Sequence, residues 1–140
     1  MWTCPKCKRE FQKNNQSHSC VVYPLERHFE GKEFARELFD FYIAKIQKEV
    51  GPIKIESLPC CIHLVSSYTF GAVWAMKDKI RIDFRVDKKL TPEELKKLPK
   101  MYSELQMSPN RYLYHFDIVD SKQISSELLD LIRDSYKLNK

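Results

Sequence analysis

The chain is poor in glycine, with only three among 140 residues, at Gly31, Gly51 and Gly71. Both common phosphate-binding loops need several closely spaced glycines, so this scarcity argues against a nucleotide-binding enzyme. No apolar run approaches the roughly 18 residues of a membrane span. The first residues, Met1 to Lys6, also lack the apolar stretch of a signal peptide. We therefore expect a cytoplasmic protein that does not contact a membrane.

Apolar residues make up 43% of the chain, which is ordinary for a globular protein. A chain of this length can bury roughly two-thirds of its unfolded surface, enough for one real core. We divide the sequence into a short N-terminal segment at residues 1–20, a connector at residues 21–31 and an α+β domain at residues 32–140. Residues 1–20 are called the knuckle below.

Hydrophobic periodicity predicts a helix over Lys32–Val50, and Gly51-Pro52 is a typical stop. Its predicted core stripe is Phe34, Leu38, Phe41, Tyr42 and Ile46. A Thr91…Glu94 capping box opens a short second helix. A final helix is predicted to begin between Ser121 and Ser125.

Four segments read as strands because they are short and alternate in polarity. They are Cys60–Ser67, Phe70–Met76, Lys79–Val86 and Arg111–Val119. Lys77-Asp78-Lys79 is the expected hairpin turn between the second and the third. The order α-β-β-β-(α)-β-α predicts an α+β fold, with a mainly antiparallel sheet covered by helices on one face.

Three of the five cysteines lie in the knuckle, a clustering that favours metal over disulfides in a reducing compartment. Cys4 and Cys7 are spaced to place two thiolates on one cation, and His18 with Cys20 completes a tetrahedral zinc site. His28 is a rival fourth ligand, which would leave His18 outside the site. Phe11 is expected to form a miniature core beside the metal.

The remaining cysteines, Cys60 and Cys61, are adjacent in a predicted strand and should face opposite sides of it. We interpret them as small buried residues rather than a second metal site or a redox pair. His63 and His115 are isolated on strands, with no nucleophile placed beside either by the sequence. We therefore predict no enzymatic activity.

The net charge of +5 is unevenly distributed. Residues 1–20 carry +3, residues 77–100 carry +4, and the rest of the chain sums to −2. This excess indicates a polyanionic partner, although Lys-rich segments are also ordinary solvated surface. The predicted contacts are Lys6, Lys8, Arg9, Lys13, Lys77, Lys79, Arg81 and Arg85. Asp83 lies between the two arginines, so a purely structural ladder is the alternative.

Acidic residues also recur every three or four positions along the first helix and its approach. They are Glu26, Glu30, Glu33, Glu37 and Asp40. Such a ridge suits a hard or borderline cation. Because Lys32, Arg36 and Lys45 are interleaved, we interpret it as the solvated face of the helix.

The pattern Trp2-Thr3-Cys4-Pro5-Lys6-Cys7…Phe11…His18-Ser19-Cys20, followed by His28-Phe29-x-Gly31-Lys32, resembles a bacterial family of unknown function, numbered fifty-six fifty-five. The resemblance covers essentially the whole chain. It implies zinc ligands at Cys4, Cys7, His18 and Cys20.

More distantly, Cys61–Val86 and the ending Leu128–Leu138 are similar to the MmcQ/YjbR family, whose fold is shared with frataxin-like CyaY. That resemblance implies a helix–antiparallel sheet–helix fold and a double-wing mode of DNA binding. The stretch between Leu90 and Tyr112 departs from the pattern by an added Thr91-capped helix.

These observations predict a non-enzymatic zinc-binding module that binds nucleic acid, DNA in preference to RNA. The alternative is a protein-interaction adaptor that docks a partner through the knuckle. Iron handling of the frataxin kind rests on the acidic ridge alone and ranks last.

Overall fold

A computed structural model describes residues 1–18 and 23–138 of the chain. Two short strands, β1 (Trp2–Thr3) and β2 (Glu10–Phe11), pair within the knuckle. The helices that follow are α1 (Glu33–Glu49), α2 (Pro92–Leu95) and α3 (Ser126–Leu138). The main strands are β3 (Lys54–Ser57), β4 (Ile62–Val65), β5 (Thr69–Ala75), β6 (Ile80–Val86), β7 (Lys100–Ser108) and β8 (Arg111–Ile118). Short 3-10 turns occupy Leu25–Phe29 and Ser121–Gln123.

The six main strands form one sheet in the order β3-β4-β5-β6-β8-β7, with every neighbouring pair antiparallel. Both α1 and α3 pack against β5 and β6 and against each other. One face of the sheet is therefore covered by helices, as predicted, and the fold is α+β. The opposite face carries no helix among the described residues.

Strand β6 shows how the sequence sets the two faces. Ile80, Ile82 and Phe84 are almost fully buried beneath the helices, while Arg81 and Asp83 alternate with them on the helix-free face. This confirms the predicted alternation, because successive strand residues point to opposite sides. The predicted turn before β6 is also confirmed: the Met76 amide donates to the Lys79 carbonyl at 2.9 Å.

Helix α1 forms where predicted, but its buried stripe is shifted. Phe34 and Phe41 are exposed, at 45% and 39%. The core instead takes Ala35, Phe39 and Ile43, together with the predicted Leu38, Tyr42 and Ile46. A period of 3.6 residues is compatible with more than one set of buried positions. The two exposed aromatic residues fit one of these sets, and we therefore placed them in the buried stripe.

Local capping signals are reproduced. Thr91 caps α2 by accepting from the Glu94 amide at 3.2 Å, and the Glu94 carboxylate accepts from the Thr91 amide. Gly51 follows α1 where Tyr136 packs closely: a Cβ at this glycine would lie 2.9 Å from the phenol oxygen. The Tyr136 hydroxyl donates to the Pro52 carbonyl at 2.7 Å, which ties α3 to the end of α1.

Two strands of the main sheet were not predicted, and both lie at its edges. Strand β3 pairs with β4, and the long β7 pairs with β8. Almost every residue of β7 is exposed, so it lacks the apolar alternation by which half-buried strands are recognised. Phe29, in the segment assigned as a connector, is buried and packs on Phe39 with ring centroids 5.0 Å apart.

None of the helices in residues 1–18 and 23–138 is both long and apolar enough to span a membrane.

Candidate metal centre and cationic surface

The knuckle turn places Cys4 and Cys7 on the same side of the chain. The Lys8 amide donates to the Cys4 carbonyl at 2.8 Å, and the Cys4 amide donates to the Arg9 carbonyl at 2.9 Å. Lys8 adopts a positive φ of 64°, which lets the chain reverse immediately after the second cysteine. The strands β1 and β2 then run away from the turn as an antiparallel pair.

His18 joins these two thiols. Its Nε2 lies 3.3 Å from Cys7 Sγ, and the ligand atoms of Cys4, Cys7 and His18 all lie within 4.8 Å of one another. Zinc–sulfur bonds of about 2.3 Å in a tetrahedron put ligands about 3.7 Å apart. Small side-chain rotations therefore suffice for these three residues to hold a metal ion.

A hydrogen bond orients the imidazole for this purpose. His18 Nδ1 lies 2.6 Å from the Gln16 carbonyl, to which it donates when protonated. This contact raises the pKa of His18. Because Nδ1 is held by the carbonyl, Nε2 is the ring nitrogen that faces the thiols. A backbone carbonyl on the far nitrogen is the usual outer partner of a metal-bound histidine. The predicted fourth ligand, Cys20, lies outside the described residues.

His28, the rival ligand, is not part of this cluster within the described part of the chain. Its ring packs against Tyr23 with centroids 4.8 Å apart, and burial lowers its pKa. The structure thus brings together Cys4, Cys7 and His18 and leaves His28 elsewhere.

Aromatic rings form the miniature core of the knuckle. Phe11 packs on His18 with centroids 4.1 Å apart, and Trp2 lies 6.0 Å from both rings. Phe11 therefore occupies the place expected from the sequence. So few apolar groups bury too little surface to fold twenty residues alone, which makes a metal the natural staple.

The knuckle also carries four cations. Lys6, Lys8 and Lys13 are exposed, whereas Arg9 is half-buried with its guanidinium over the Phe11 ring at 5.1 Å. The knuckle approaches the sheet through an exposed ion pair from Lys54 to Glu10 at 2.7 Å. Three lysines of the knuckle are thus open to a polyanion.

The hairpin cations are arranged differently from our expectation. Arg81 and Lys79 both pair with Asp117, at 2.7 and 3.0 Å, and Arg81 also stacks 3.4 Å from the centroid of the Tyr102 ring. Arg81 is therefore not the free guanidinium that we predicted. The pairing partner is Asp117, across on β8, rather than the neighbouring Asp83. Lys77 is exposed, and Arg85 is half-buried.

The same helix-free face carries a row that joins Asp83, His115 and Ser103 across three strands. His115 Nδ1 lies 2.8 Å from Ser103 Oγ, and its Nε2 lies 3.4 Å from Asp83 Oδ2. Burial raises the pKa of Asp83 to about 6 and lowers that of His115. Serine hydrolases place the serine at Nε2 and an ionised aspartate at Nδ1, so this row reverses their arrangement. Sequence reasoning missed Ser103 because β7 was not recognised.

Cys60 and Cys61 do not face opposite sides of a strand, which corrects our expectation. They close the loop between β3 and β4, where the Leu58 amide donates to the Cys61 carbonyl at 3.0 Å. Their Sγ atoms lie 3.3 Å apart as free thiols, and Cys60 is exposed. Burial raises the pKa of Cys61 to about 12.

The fold and the Cys/His cluster define an α+β domain preceded by a segment that can hold a metal ion. The chain belongs to the family described as Domain of unknown function (DUF5655), whose model matches residues 25–139. No curated protein and no solved structure matches the chain.

Proposed function

We infer that the knuckle binds one zinc ion through Cys4, Cys7, His18 and Cys20. We further propose that the protein is a non-enzymatic nucleic-acid-binding module that prefers DNA to RNA. The observation that carries the proposal is the convergence of three soft or borderline donors in a segment whose lysines are exposed. Each half of the proposal has its own support.

Zinc fits the donor set better than harder cations. Thiolate and imidazole ligands suit zinc, whereas carboxylate and carbonyl oxygens suit magnesium or calcium. The acidic ridge does not offer a comparable site: among residues 1–18 and 23–138, the groupings with metal-ligand geometry consist of cysteine and histidine. Asp40 of that ridge pairs with Arg36 at 3.2 Å. Within residues 1–18 and 23–138, the acidic ridge therefore does not favour iron handling.

We assign the main contacts with the polyanion to the knuckle lysines. Lys6, Lys8 and Lys13 are exposed, and a metal would hold them rigidly around one small core. Phosphate contacts from several fixed cations release condensed counterions, which is the main source of non-specific affinity. Arg9, Lys77 and Arg85 remain secondary contacts. Lys79 and Arg81 act by holding the hairpin through Asp117.

The test is fluorescence anisotropy with short DNA duplexes, single strands and RNA hairpins at several salt concentrations. Replacing Lys6, Lys8 and Lys13 by Gln should weaken binding to every sequence. Each lost phosphate contact should flatten the salt slope by about 0.9. The matched control replaces three exposed lysines of the main domain, Lys48, Lys97 and Lys122, by Gln. Equal losses in both variants would contradict the knuckle as the contact surface.

A protein-interaction adaptor is the second candidate, and strand β7 favours it. This edge strand exposes Tyr102, Leu105 and Met107 by 58%, 56% and 51%. An exposed apolar edge offers unpaired backbone groups to a strand from another chain. If micromolar protein binds none of the nucleic acids at low salt, the adaptor replaces the nucleic-acid proposal.

A further inference from the structure

A second cluster of metal-ligand type, distinct from the knuckle cluster, lies in the main domain. It consists of Cys60, Cys61 and His63, whose ligand atoms all lie within 4.8 Å of one another. We propose that these three residues bind a thiophilic divalent cation of the zinc type. This proposal does not depend on nucleic-acid binding or on the knuckle site.

The tight β3–β4 loop creates the thiol pair. Ser57 and Ile62 are paired residues of the two strands, so only residues 58–61 connect them. Within this short loop the chain departs from strand alternation, and both sulfur atoms come to the same place, 3.3 Å apart. A disulfide would need about 2.05 Å. The thiols are therefore close enough for one cation without being bonded to each other.

His63 completes the set from the adjacent strand. It lies near the start of β4, and its side chain lines the same cavity as Cys61. Its cross-strand neighbours are Glu56 and Ala72, which fix its position on the helix-free face. Two sulfurs and one imidazole form a borderline-soft donor set that suits zinc or cadmium.

A cavity beside the cluster leaves a coordination position open. It measures about 290 Å³ and is lined by Cys61, His63, Trp74, Asp83 and Arg85, among others. Three protein ligands with room for a water or a small molecule are the arrangement of an open zinc site, in contrast to a closed structural one. The proposed site is thus accessible to a fourth ligand from solvent.

Site-resolved alkylation of the full-length reduced protein tests the proposal. Iodoacetamide modification of each cysteine is followed by peptide mass spectrometry with and without Zn²⁺. Because Cys60 is exposed, we expect it to react readily without metal and to lose most of that reactivity when its sulfur is bound to Zn²⁺. The peptides that contain Cys4 and Cys7 report the knuckle separately, so the failure of one site is distinguishable from the failure of the other.

Two histidine variants separate coordination from a structural effect. His63→Gln should remove most of the Zn²⁺ protection of Cys60. His115→Gln, which alters another half-buried imidazole on the same face, should leave the protection intact. Cys60→Ser should also bind one Cd²⁺ fewer than the wild-type protein. The proposal would be overturned if the alkylation rate at Cys60 did not change on adding Zn²⁺. Equal protection of Cys60 in the wild-type and His63→Gln proteins would also overturn it.

Discussion

Arg81 on β6 lies directly opposite Asp117 on β8, and its guanidinium donates two hydrogen bonds to that carboxylate. Nε donates to Oδ1 at 2.7 Å and Nη2 to Oδ2 at 3.2 Å. The Arg81 side chain is only 17% exposed. These bonds lower the pKa of Asp117. A bidentate pair of this kind holds β6 and β8 in register more than it offers charge to a ligand.

Replacing Asp117 by Asn should lower the free energy of unfolding by about 2 kcal/mol, because Arg81 and Lys79 lose their shared partner. Urea denaturation measures the loss, and a double-mutant cycle with Arg81→Met should show coupling of about 1 kcal/mol. Asp130→Asn is the control, since its partner Arg133 is more exposed and the loss should be well under 1 kcal/mol. Equal losses for both aspartates would contradict a structural pair.

The lowered pKa gives this prediction a pH dependence with a definite sign. A carboxylate with a lowered pKa in the folded state stabilises the protein above its unfolded pKa of about 4. That contribution disappears as pH falls through the folded value. The stability difference between the wild-type protein and Asp117→Asn should therefore shrink in acid.

Asp83 should show the opposite dependence. Burial raises its pKa to about 6, so the folded protein keeps a proton that the unfolded chain releases near pH 4. The free energy of unfolding should therefore fall as pH rises from about 4 to about 6. The free energy of unfolding of Asp83→Asn, relative to that of the wild-type protein, should therefore increase across this pH window. The difference should stay constant above it.

Urea denaturation at several pH values measures that advantage, with the exposed Asp87→Asn as the control for loss of a carboxylate. A difference between the wild-type protein and Asp83→Asn that does not change between about pH 4 and about pH 6 would rule out a buried, protonated Asp83.

The main domain should fold without the knuckle. The core is built from α1, α3 and the strands of the main sheet. The Glu10–Lys54 ion pair is exposed and worth less than about 1 kcal/mol. A chain beginning at Tyr23 should therefore unfold cooperatively in urea, with nearly the full-length stability. Loss of a cooperative transition would make the knuckle an integral part of the domain.

The sequence predicts elements whose signal is local. The β6 alternation from Ile80 to Val86 and the Thr91–Glu94 capping box both depend on residues within a few positions of each other. Strand β7 escaped prediction because both of its faces are largely exposed, so no apolar period marks it. Because β3 was not recognised, the strand predicted in place of β4 began too early and included Cys60 and Cys61.

Relationships across strands could not be obtained from the sequence. The pairing of Arg81 with Asp117 requires the register between β6 and β8, residues separated by more than thirty positions. The Cys4/Cys7 spacing, by contrast, is a local motif, and His18 joins these thiols as expected. The candidate metal centre was therefore predictable from the sequence, whereas the pairing of the hairpin cations with a carboxylate on another strand was not.

Zinc content after replacing the knuckle ligands tests the central claim most directly. The measurement uses a Cys60→Ser, Cys61→Ser background, so that only the knuckle can contribute. Elemental analysis should then give about one zinc per chain. The metal should be lost on replacing Cys4 and Cys7 by Ser, weakened by His18→Ala and kept in His28→Ala. Zinc retained without Cys4 and Cys7, or lost in His28→Ala but kept in His18→Ala, would contradict the account.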